Sequence, residues 1–339
     1  MLPGGLPVQL WLLMADIPPS DSWEQIMYAA IKAIEYYLPG SVLTNEQLER
    51  DLSDWSAEKI LEKTGISKRY IVNNKETASD LACQAAQKLF ASDICVPNDI
   101  DFLLFCTQSP DHILPTTACV LQDRLGLPTS CGALDYNLGC SGYIYGLLLA
   151  KGLIESGQAN NVLLITAETY SKYIGRDDKS VRTIFGDGAA ATLVQGVTAE
   201  VAPVWPVIVG TDGRGANNLI VRDNTLHMNG PEIFTFTLKC VPLVVAELLT
   251  KVKKNLEDID LFIFHQANKY MLDHLRTKLN IPEEKFYIYI ENVGNTVSST
   301  IPIAMKHALL EGKIKPGSLV MLVGFGVGYS WGGAIVRTL

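Results

Sequence analysis

Cys140 is the residue whose surroundings point most directly to chemistry. It lies in the Leu-Gly-Cys-Ser-Gly segment 138–142, between a predicted strand ending at Tyr136 and an apolar predicted helix over residues 143–154. Glycines on both sides permit a tight turn and the close approach of a ligand to the backbone. Unpaired amides and the helix dipole at such a position favour the nucleophilic thiolate over the thiol. The sequence therefore predicts a nucleophilic cysteine, and a small buried structural thiol is the alternative.

Two further polar positions follow predicted strands in the second half of the chain. His265 comes directly after the apolar run Leu261–Phe264 and is followed by Gln-Ala-Asn. Its place at the C-terminal edge of a strand favours a functional site over a buried structural histidine. Asn295 lies in Asn-Val-Gly-Asn-Thr, between a predicted strand over 286–290 and a predicted helix over 297–311. A loop or cap asparagine is the alternative there.

The C-terminal Gly-Phe-Gly-Val-Gly stretch, residues 324–328, has to be compared with a nucleotide-binding loop. A dinucleotide site needs a strand before the glycines, a helix after them and an acidic residue further on. Only residues 329–339 follow Gly328, and their pattern is typical of a strand. We therefore exclude a nucleotide loop and expect this turn to present a backbone amide to a substrate carbonyl.

Predicted strands and helices alternate along the rest of the chain. Apolar runs of strand length are bounded by helical stretches, which implies sheets sandwiched between helices. The pattern predicts two similar halves, 27–198 and 199–339, with a boundary near residues 195–202. The predicted strands are 28–38, 101–107, 161–168, 185–194, 261–264, 286–290, 319–323 and 333–336, and the main helices are 77–91, 117–125, 236–254 and 269–279.

Composition limits the possible classes of function. The 339 residues are 48% hydrophobic, enough for a large core in two domains or a duplicated one. A net charge of −8 without a long basic run argues against nucleic acid as the main partner. Seven cysteines, an odd number without a Cys-x-x-Cys pair, predict a reduced cytoplasmic protein with neither disulfides nor zinc.

Residues 1–26 are predicted to be an irregular N-terminal extension, or to lie upstream of the true start at Met27. They contain four prolines and show no clear periodicity. Their apolar run, Leu10–Ala15, is too short to span a bilayer. No basic segment precedes that run, so we expect neither a secretory signal nor a membrane partner.

Together these motifs resemble β-ketoacyl-ACP synthase III, of the thiolase superfamily. The resemblance covers about residues 28–339, and it implies a five-layered αβαβα fold of two similar halves and a homodimer. We expect no cofactor and no metal. It also implies a catalytic triad of Cys140, His265 and Asn295. The matching motifs are Gly-Cys-Ser-Gly at 139–142, Phe-Gly-Asp-Gly-Ala at 185–189, His-Gln-Ala-Asn at 265–268, Gly-Asn-Thr at 294–296, Lys-Pro-Gly at 315–317 and the tail 325–332.

The mechanism implied by this resemblance has two stages. Cys140 takes an acyl group from acyl-CoA or acyl-ACP, while the N–H groups of Cys140 and Val327 stabilise the oxyanion. Val327 stands where family members commonly carry glycine. His265 and Asn295 then donate to the thioester carbonyl of malonyl-ACP as CO2 leaves, and the resulting carbanion attacks the acyl group.

Three further residues are expected to shape the site. Asn268 supports the geometry around His265, and Phe185 forms a wall near the cysteine. Leu114 falls where the family reaches across the dimer to limit acyl length, and a solvent-exposed leucine is the alternative.

The carrier entrance departs from the family pattern. The adenine-stacking tryptophan and the adjacent arginine of the family fall at Lys59 and Lys63, and a further basic position falls at Lys179. The missing aromatic favours an acyl carrier protein over CoA as acyl donor. Lys269 and Arg276, on the helix after His265, are expected to dock an acidic carrier, although a basic helix face is often only solvated.

Two other functions stay open at this point. One is an acyltransferase of the same fold that makes an ester or amide, with His265 as general base. The other is a non-catalytic partner subunit. Asn295 favours condensation over the first, and the presence of all three polar residues counts against the second.

Overall fold

The computed structural model describes residues 27–52, 54–198 and 206–338. The predicted extension, residues 1–26, lies outside the described residues. The predicted boundary between the two halves falls between residues 198 and 199, and residue 199 is also outside them. The strands in chain order are β1 (Met27–Tyr37), β2 (Ser41–Thr44), β3 (Lys68–Ile71), β4 (Phe102–Cys106), β5 (Gly132–Tyr136), β6 (Asn161–Glu168), β7 (Gly188–Thr198), β8 (Val207–Thr211), β9 (Leu219–Arg222), β10 (Thr225–Met228), β11 (Leu261–Phe264), β12 (Leu319–Gly326) and β13 (Ser330–Arg337).

Two sheets organise the fold. The first has the order β1-β7-β6-β4-β5, in which β4 runs parallel to β5 and β6. The second has the order β11-β12-β13-β8, in which β11 runs parallel to β12. Two antiparallel strand pairs, β2 with β3 and β9 with β10, lie outside these sheets. All strands of the first sheet come from residues 27–198, and all of the second come from residues 207–337.

Helices cover and separate the sheets. The helices are α1 (Asn45–Asp51), α2 (Ala57–Thr64), α3 (Ala78–Phe90), α4 (Thr117–Arg124), α5 (Gly142–Glu155), α6 (Lys179–Arg182), α7 (Gly230–Val252), α8 (Lys269–Lys278) and α9 (Thr300–Leu310). Helices α5 and α9 pack between the two sheets, α3 and α4 cover the outer face of the first, and α7 covers the outer face of the second. The predicted five-layered αβαβα fold is therefore confirmed.

The middle layer explains why α5 is apolar almost all round. Tyr143, Ile144 and Leu147 are fully buried in a core that contains Leu164 from the first sheet and Leu322 from the second. A helix with a sheet on either side needs apolar residues on both faces. This burial fixes the start of α5, and with it the position of Cys140.

Helix α7 is long and apolar enough to cross a membrane, judged by length and composition alone. In the fold it lies on the second sheet, where the side chains of Val244 and Leu248 approach Gly333 closely. Both side chains are buried. This core contact accounts for part of its apolar composition.

Most predicted elements are present, and one is wrong. Residues 286–290 form no strand. Phe286 makes a single bridge to Phe262, and the N–H of Tyr289 donates to Oε1 of Gln266 at 2.7 Å. A side chain thus replaces the backbone ladder at the edge of β11. The strand predicted from Phe185 begins only at Gly188, and the helix predicted from Phe236 begins already at Gly230.

Candidate active site

Cys140 lies at the predicted strand-to-helix turn. Strand β5 ends at Tyr136, α5 begins at Gly142, and the N–H of Gly142 donates to the carbonyl of Gly139 at 2.8 Å. A Cβ on Gly139 would lie 2.6 Å from Cγ1 of Val327, so only glycine lets the C-terminal turn come this close. Cys140 is 4% exposed at the bottom of the resulting site.

The thiol of Cys140 is not the stabilised thiolate that its helix-start position predicted. Burial raises its pKa to about 12, and the charge of Glu168 acts in the same direction. The backbone N–H groups of Cys140 and Val327 interact with the thiol and lower its pKa, but they are outweighed. Desolvation disfavours the charged form more than the helix start favours it. The prediction of a thiolate in the free protein is therefore wrong, and the proton needs an acceptor.

His265 supplies a neutral imidazole beside this thiol. His265 follows β11 and is 2% exposed. Its backbone N–H donates to the carbonyl of Val323 at 2.8 Å. Its Nδ1 lies 2.7 Å from the hydroxyl oxygen of Thr300, and its ring stands edge-on to Phe325 with centroids 5.5 Å apart. Burial lowers the pKa of His265 to about 3. The ring is therefore uncharged near neutral pH and can exchange a proton through Nε2.

Asn295 is held next to His265 by both ends of its amide. Nδ2 lies 3.5 Å from Nε2 of His265 and donates to the carbonyl of Ala267 at 3.3 Å. Oδ1 accepts from the N–H of Val297 at 2.9 Å. The backbone N–H of Asn295 donates to the carbonyl of Ile184, which ties the two halves of the chain together at the site.

The turn between β12 and β13 closes the site from the other side. The hydroxyl of Ser330 donates to the carbonyl of Val327 at 2.8 Å and lies 2.6 Å from the hydroxyl of Ser141. A Cβ on Gly326 would lie 2.9 Å from Cβ and 3.0 Å from Sγ of Cys140. This turn therefore places the N–H of Val327 close to the thiol of Cys140. Its expected role toward a substrate carbonyl stays a prediction.

Cys140, His265 and Asn295 line one cavity of about 350 Å³. Phe185 and Asn268 also line it, and Asn268 additionally caps α8 by accepting from the N–H of Met271 at 2.8 Å. The other lining residues are mainly apolar, and include Leu219, Met228, Ile233, Phe234, Tyr270, Met271 and Phe325. An apolar cavity with a few convergent polar groups is typical of a site for a small molecule or an acyl chain.

Leu114 does not line this cavity in the single chain. It is 80% exposed and stands beside Ile113, which is fully exposed. The sequence prediction for Leu114 requires a second subunit, so it stays a prediction.

The predicted carrier-binding residues lie at the surface, and the three lysines are ion-paired within the chain. Their acidic partners are Glu62 for Lys63 at 3.7 Å, Asp54 for Lys179 at 3.3 Å and Asp273 for Lys269 at 2.6 Å. Arg276 is partly buried and donates to the carbonyl of Ile281 at 3.5 Å. Exposed pairs of this kind contribute little to stability and can exchange partners.

Aromatic side chains beside Lys59 and in the cavity wall were not predicted. The Nζ atom of Lys59 lies 5.3 Å from the ring centre of Trp55, so an aromatic ring adjoins the position where the family tryptophan is missing. Tyr270 stacks on Phe234 with centroids 5.6 Å apart, and both rings line the cavity.

Three polar residues that contact the site were missed from the sequence. Thr300 contacts His265, Ser298 follows Asn295 by three positions, and Glu168 is fully buried and accepts a hydrogen bond from Ser298. An acidic residue ending the buried run Asn161–Glu168 was a usable signal. No pattern in Ser-Ser-Thr at 298–300 marked the other two.

The described residues contain no set of side chains suited to bind a metal ion. Within residues 27–52, 54–198 and 206–338, no three His, Cys, Asp or Glu side chains are grouped so that they could hold a metal ion.

Comparison with known proteins decides the family. Residues 134–213 match the family described as 3-oxoacyl-[acyl-carrier-protein (ACP)] synthase III, and residues 249–338 match the C-terminal part of the same family. The β-ketoacyl-[acyl-carrier-protein] synthase III of Clostridium perfringens is 38% identical over 89% of this chain and 96% of its own length. The chain belongs to this family.

Solved structures of synthase III proteins share the whole fold. A crystal structure of a 3-oxoacyl-(acyl-carrier-protein) synthase III is 50% identical, covers 91% of this chain and 99% of its own, and superposes with a TM-score of 0.90. The synthase III of Aquifex aeolicus is 35% identical over 91% of this chain and 99% of its own, with a TM-score of 0.87. As a synthase III, this protein is an enzyme of the condensing, acyl-transferring kind, with a thiolase-like fold.

Proposed function

We propose that this synthase III condenses an acyl thioester with malonyl-ACP through an acyl group held on Cys140, in fatty-acid or related lipid biosynthesis. One observation carries the proposal. Cys140, His265 and Asn295 meet in one apolar cavity, and the N–H groups of Cys140 and Val327 converge on the sulfur. A nucleophile, a proton carrier and two sets of hydrogen-bond donors are the parts that the reaction needs.

In the first half-reaction the Cys140 thiol exchanges with the donor thioester. Nε2 of His265 takes the proton as Sγ attacks the acyl carbonyl, and the N–H groups of Cys140 and Val327 stabilise the oxyanion. The carbon–sulfur bond of the donor then breaks, and its thiolate takes the proton from His265. Because the proton passes from one thiol to the other, no charge remains in the buried site.

In the second half-reaction malonyl-ACP replaces the first carrier. The bond between its carboxylate and its α-carbon breaks, CO2 leaves, and the electron pair becomes an enolate. Between the two half-reactions the neutral ring of His265 loses its proton from Nδ1 and takes one up on Nε2 by exchange with solvent. Nε2–H of His265 and Nδ2 of Asn295 then donate to the enolate oxygen, which is the task that their adjacent positions suit. The α-carbon then attacks the acyl carbonyl, the bond to Sγ breaks, and Cys140 takes up a proton from solvent.

The acyl pocket is proposed to be completed in a homodimer. Strand β5 ends the first sheet and pairs only with β4 among the described strands. Leu134 on β5 is 44% exposed, and the nearby loop exposes Ile113 and Leu114. Unpaired edges and exposed apolar side chains are typical of an interface. A second copy at this edge would bring Leu114 to the acyl chain.

Acyl carrier protein is the proposed partner. Lys63, Lys179, Lys269 and Arg276 are the residues proposed to meet its acidic surface, with the three lysines leaving their present partners. An ACP-bound acyl donor, a cytoplasmic location and the absence of a membrane partner remain part of the same proposal.

The direct test is acylation. We expect incubation with a series of acyl-CoA and acyl-ACP donors to add one acyl mass to the intact protein, and we expect Cys140→Ala to lose this adduct. Cys106→Ala is the matched control, because it removes another buried thiol from the same region. No mass shift with any donor would overturn the proposal, whereas acylation without CO2 release from malonyl-ACP would favour the ester- or amide-forming alternative.

A further inference from the structure

Glu168 is a fully buried carboxyl group that the mechanism above does not use. It ends β6 and receives hydrogen bonds from two parts of the chain. The N–H of Gln108 lies 3.0 Å from Oε2, and the hydroxyl of Ser109 donates to the same oxygen at 3.0 Å. The hydroxyl of Ser298 donates to Oε1 at 3.1 Å. These donors are all neutral, so Glu168 connects the segments at 108–109 and 298 by hydrogen bonds, without an ion pair.

The segment on the Ser298 side is strained. Val297 adopts φ +55°, a left-handed conformation that is unfavourable for a β-branched side chain. Such conformations persist only where surrounding contacts hold them. The contacts here are the N–H of Val297 donating to Oδ1 of Asn295 and the hydroxyl of Thr300 donating to the carbonyl of Val297 at 3.1 Å. The next residue, Ser298, is the one that Glu168 holds.

We propose that Glu168 is a positioning residue for Asn295. By accepting the Ser298 hydroxyl it holds the strained turn at Val297, and the N–H of Val297 in turn orients the Asn295 amide. Nδ2 of Asn295 then stays directed at the place where the enolate oxygen forms. This inference rests on the proposed condensing function and assigns Glu168 to its second half-reaction.

The two serines provide a matched test. Ser109 and Ser298 are both buried, and each donates one hydrogen bond to a different oxygen of the same carboxyl. The hydroxyl of Ser109 also accepts from the N–H of Thr169 at 2.9 Å. Removing the Ser109 hydroxyl should therefore destabilise the fold at least as much as removing that of Ser298. Only Ser298 adjoins the turn that orients Asn295.

The experiment compares Ser298→Ala with Ser109→Ala, alongside the wild type. Acylation of Cys140 is followed by intact mass with a donor that acylates the wild type, and CO2 release is followed with radiolabelled malonyl-ACP. We expect Ser298→Ala to lower the rate of CO2 release at least roughly tenfold, with acylation kept within about threefold. Ser109→Ala should keep both rates within about threefold. Glu168→Ala should behave as Ser298→Ala does, and the serine pair decides the question if that variant does not fold.

Three results would overturn the inference. They are equal effects of the two serine variants, a proportional fall of both half-reactions in Ser298→Ala, and wild-type CO2 release in Ser298→Ala. A merely structural role would lower both half-reactions together. A wild type that neither takes up an acyl group nor releases CO2 would overturn the proposed function, and this inference with it.

Discussion

Nδ1 of His265 lies 2.7 Å from the hydroxyl oxygen of Thr300, and both groups are buried. A hydroxyl can accept a hydrogen bond from Nδ1 or donate one to it. When Nδ1 carries the ring proton and donates to this hydroxyl, the hydroxyl donates its own hydrogen bond to the carbonyl of Val297, 3.1 Å away. Nε2 can therefore accept a proton during acylation and offer one during decarboxylation, with the imidazole neutral at the start of each step.

Replacing Thr300 tests this relationship. Thr300→Val keeps the shape but leaves Nδ1 without a partner, so we expect both half-reactions to slow by roughly tenfold or more. Thr300→Ser keeps the hydroxyl and should stay within about threefold of the wild type. Stopped-assay measurements of acyl uptake and CO2 release check both variants. Wild-type rates in Thr300→Val would show that the hydroxyl does not control His265.

Asn295 is expected to act in the second half-reaction only. Asn295→Ala removes a donor to the enolate oxygen, so CO2 release should fall about a hundredfold or more, as for other lost oxyanion donors. Acylation of Cys140 should stay within about threefold, because the oxyanion of that step is bound by other groups. Intact mass and CO2 release measured on the same preparation separate the steps. Equal losses in both would contradict this assignment.

Gly326 is expected to be required for access to the cysteine. A Cβ at this position would lie 3.0 Å from Sγ of Cys140, so Gly326→Ala should slow acylation by roughly tenfold or more without unfolding the protein. Gly152→Ala is the control, because a Cβ there meets nothing within 4 Å and the residue lies within α5. Circular dichroism reports the fold of both variants. Normal acylation of Gly326→Ala would mean that the C-terminal turn does not crowd the thiol.

Glu168 should make stability depend on pH in a stated direction. Burial raises its pKa from the usual 4.5 to about 8, so the folded state holds a proton that the unfolded state releases. The contribution of Glu168 to the free energy of unfolding is complete below pH 4.5 and is lost as the pH rises through about 8. The groups that face it electrostatically include Cys106, Cys140, Tyr170 and Asp187.

Glu168→Gln lacks this titration and serves as the comparison. Between about pH 5 and 8 the free energy of unfolding of the wild type should fall relative to the variant, by at most about 1.4 kcal/mol per pH unit. Urea unfolding at several pH values measures the difference. Parallel curves for the two proteins would mean that Glu168 is ionised throughout.

The sequence was sufficient for the layers and for the grouping of Cys140, His265 and Asn295 in one cavity. Strands Asn161–Glu168 and Leu261–Phe264 begin and end where their apolar runs do, because strands buried on both faces need such runs. The segment 286–290 failed because a side chain, that of Gln266, takes the place of a strand partner. The pattern of apolar residues does not reveal that a side chain will take the place of a neighbouring strand.

The ionisation of the site could not be predicted from local sequence. The helix start at Cys140 suggested a thiolate, but burial under elements from both halves controls the thiol. Likewise, Ser298 contacts Glu168 across 130 positions of chain. Contacts at that separation follow from the fold, so positioning residues emerge only once the sheets are assembled.

We predict that an acyl group on Cys140 is consumed by decarboxylated malonyl-ACP. The most direct measurement is a single turnover, in which the acylated enzyme is isolated and mixed with malonyl-ACP. We predict one CO2 released and one 3-oxoacyl-ACP formed for each acyl group lost from Cys140. Loss of the acyl group to water, an alcohol or an amine, without CO2, would contradict the account.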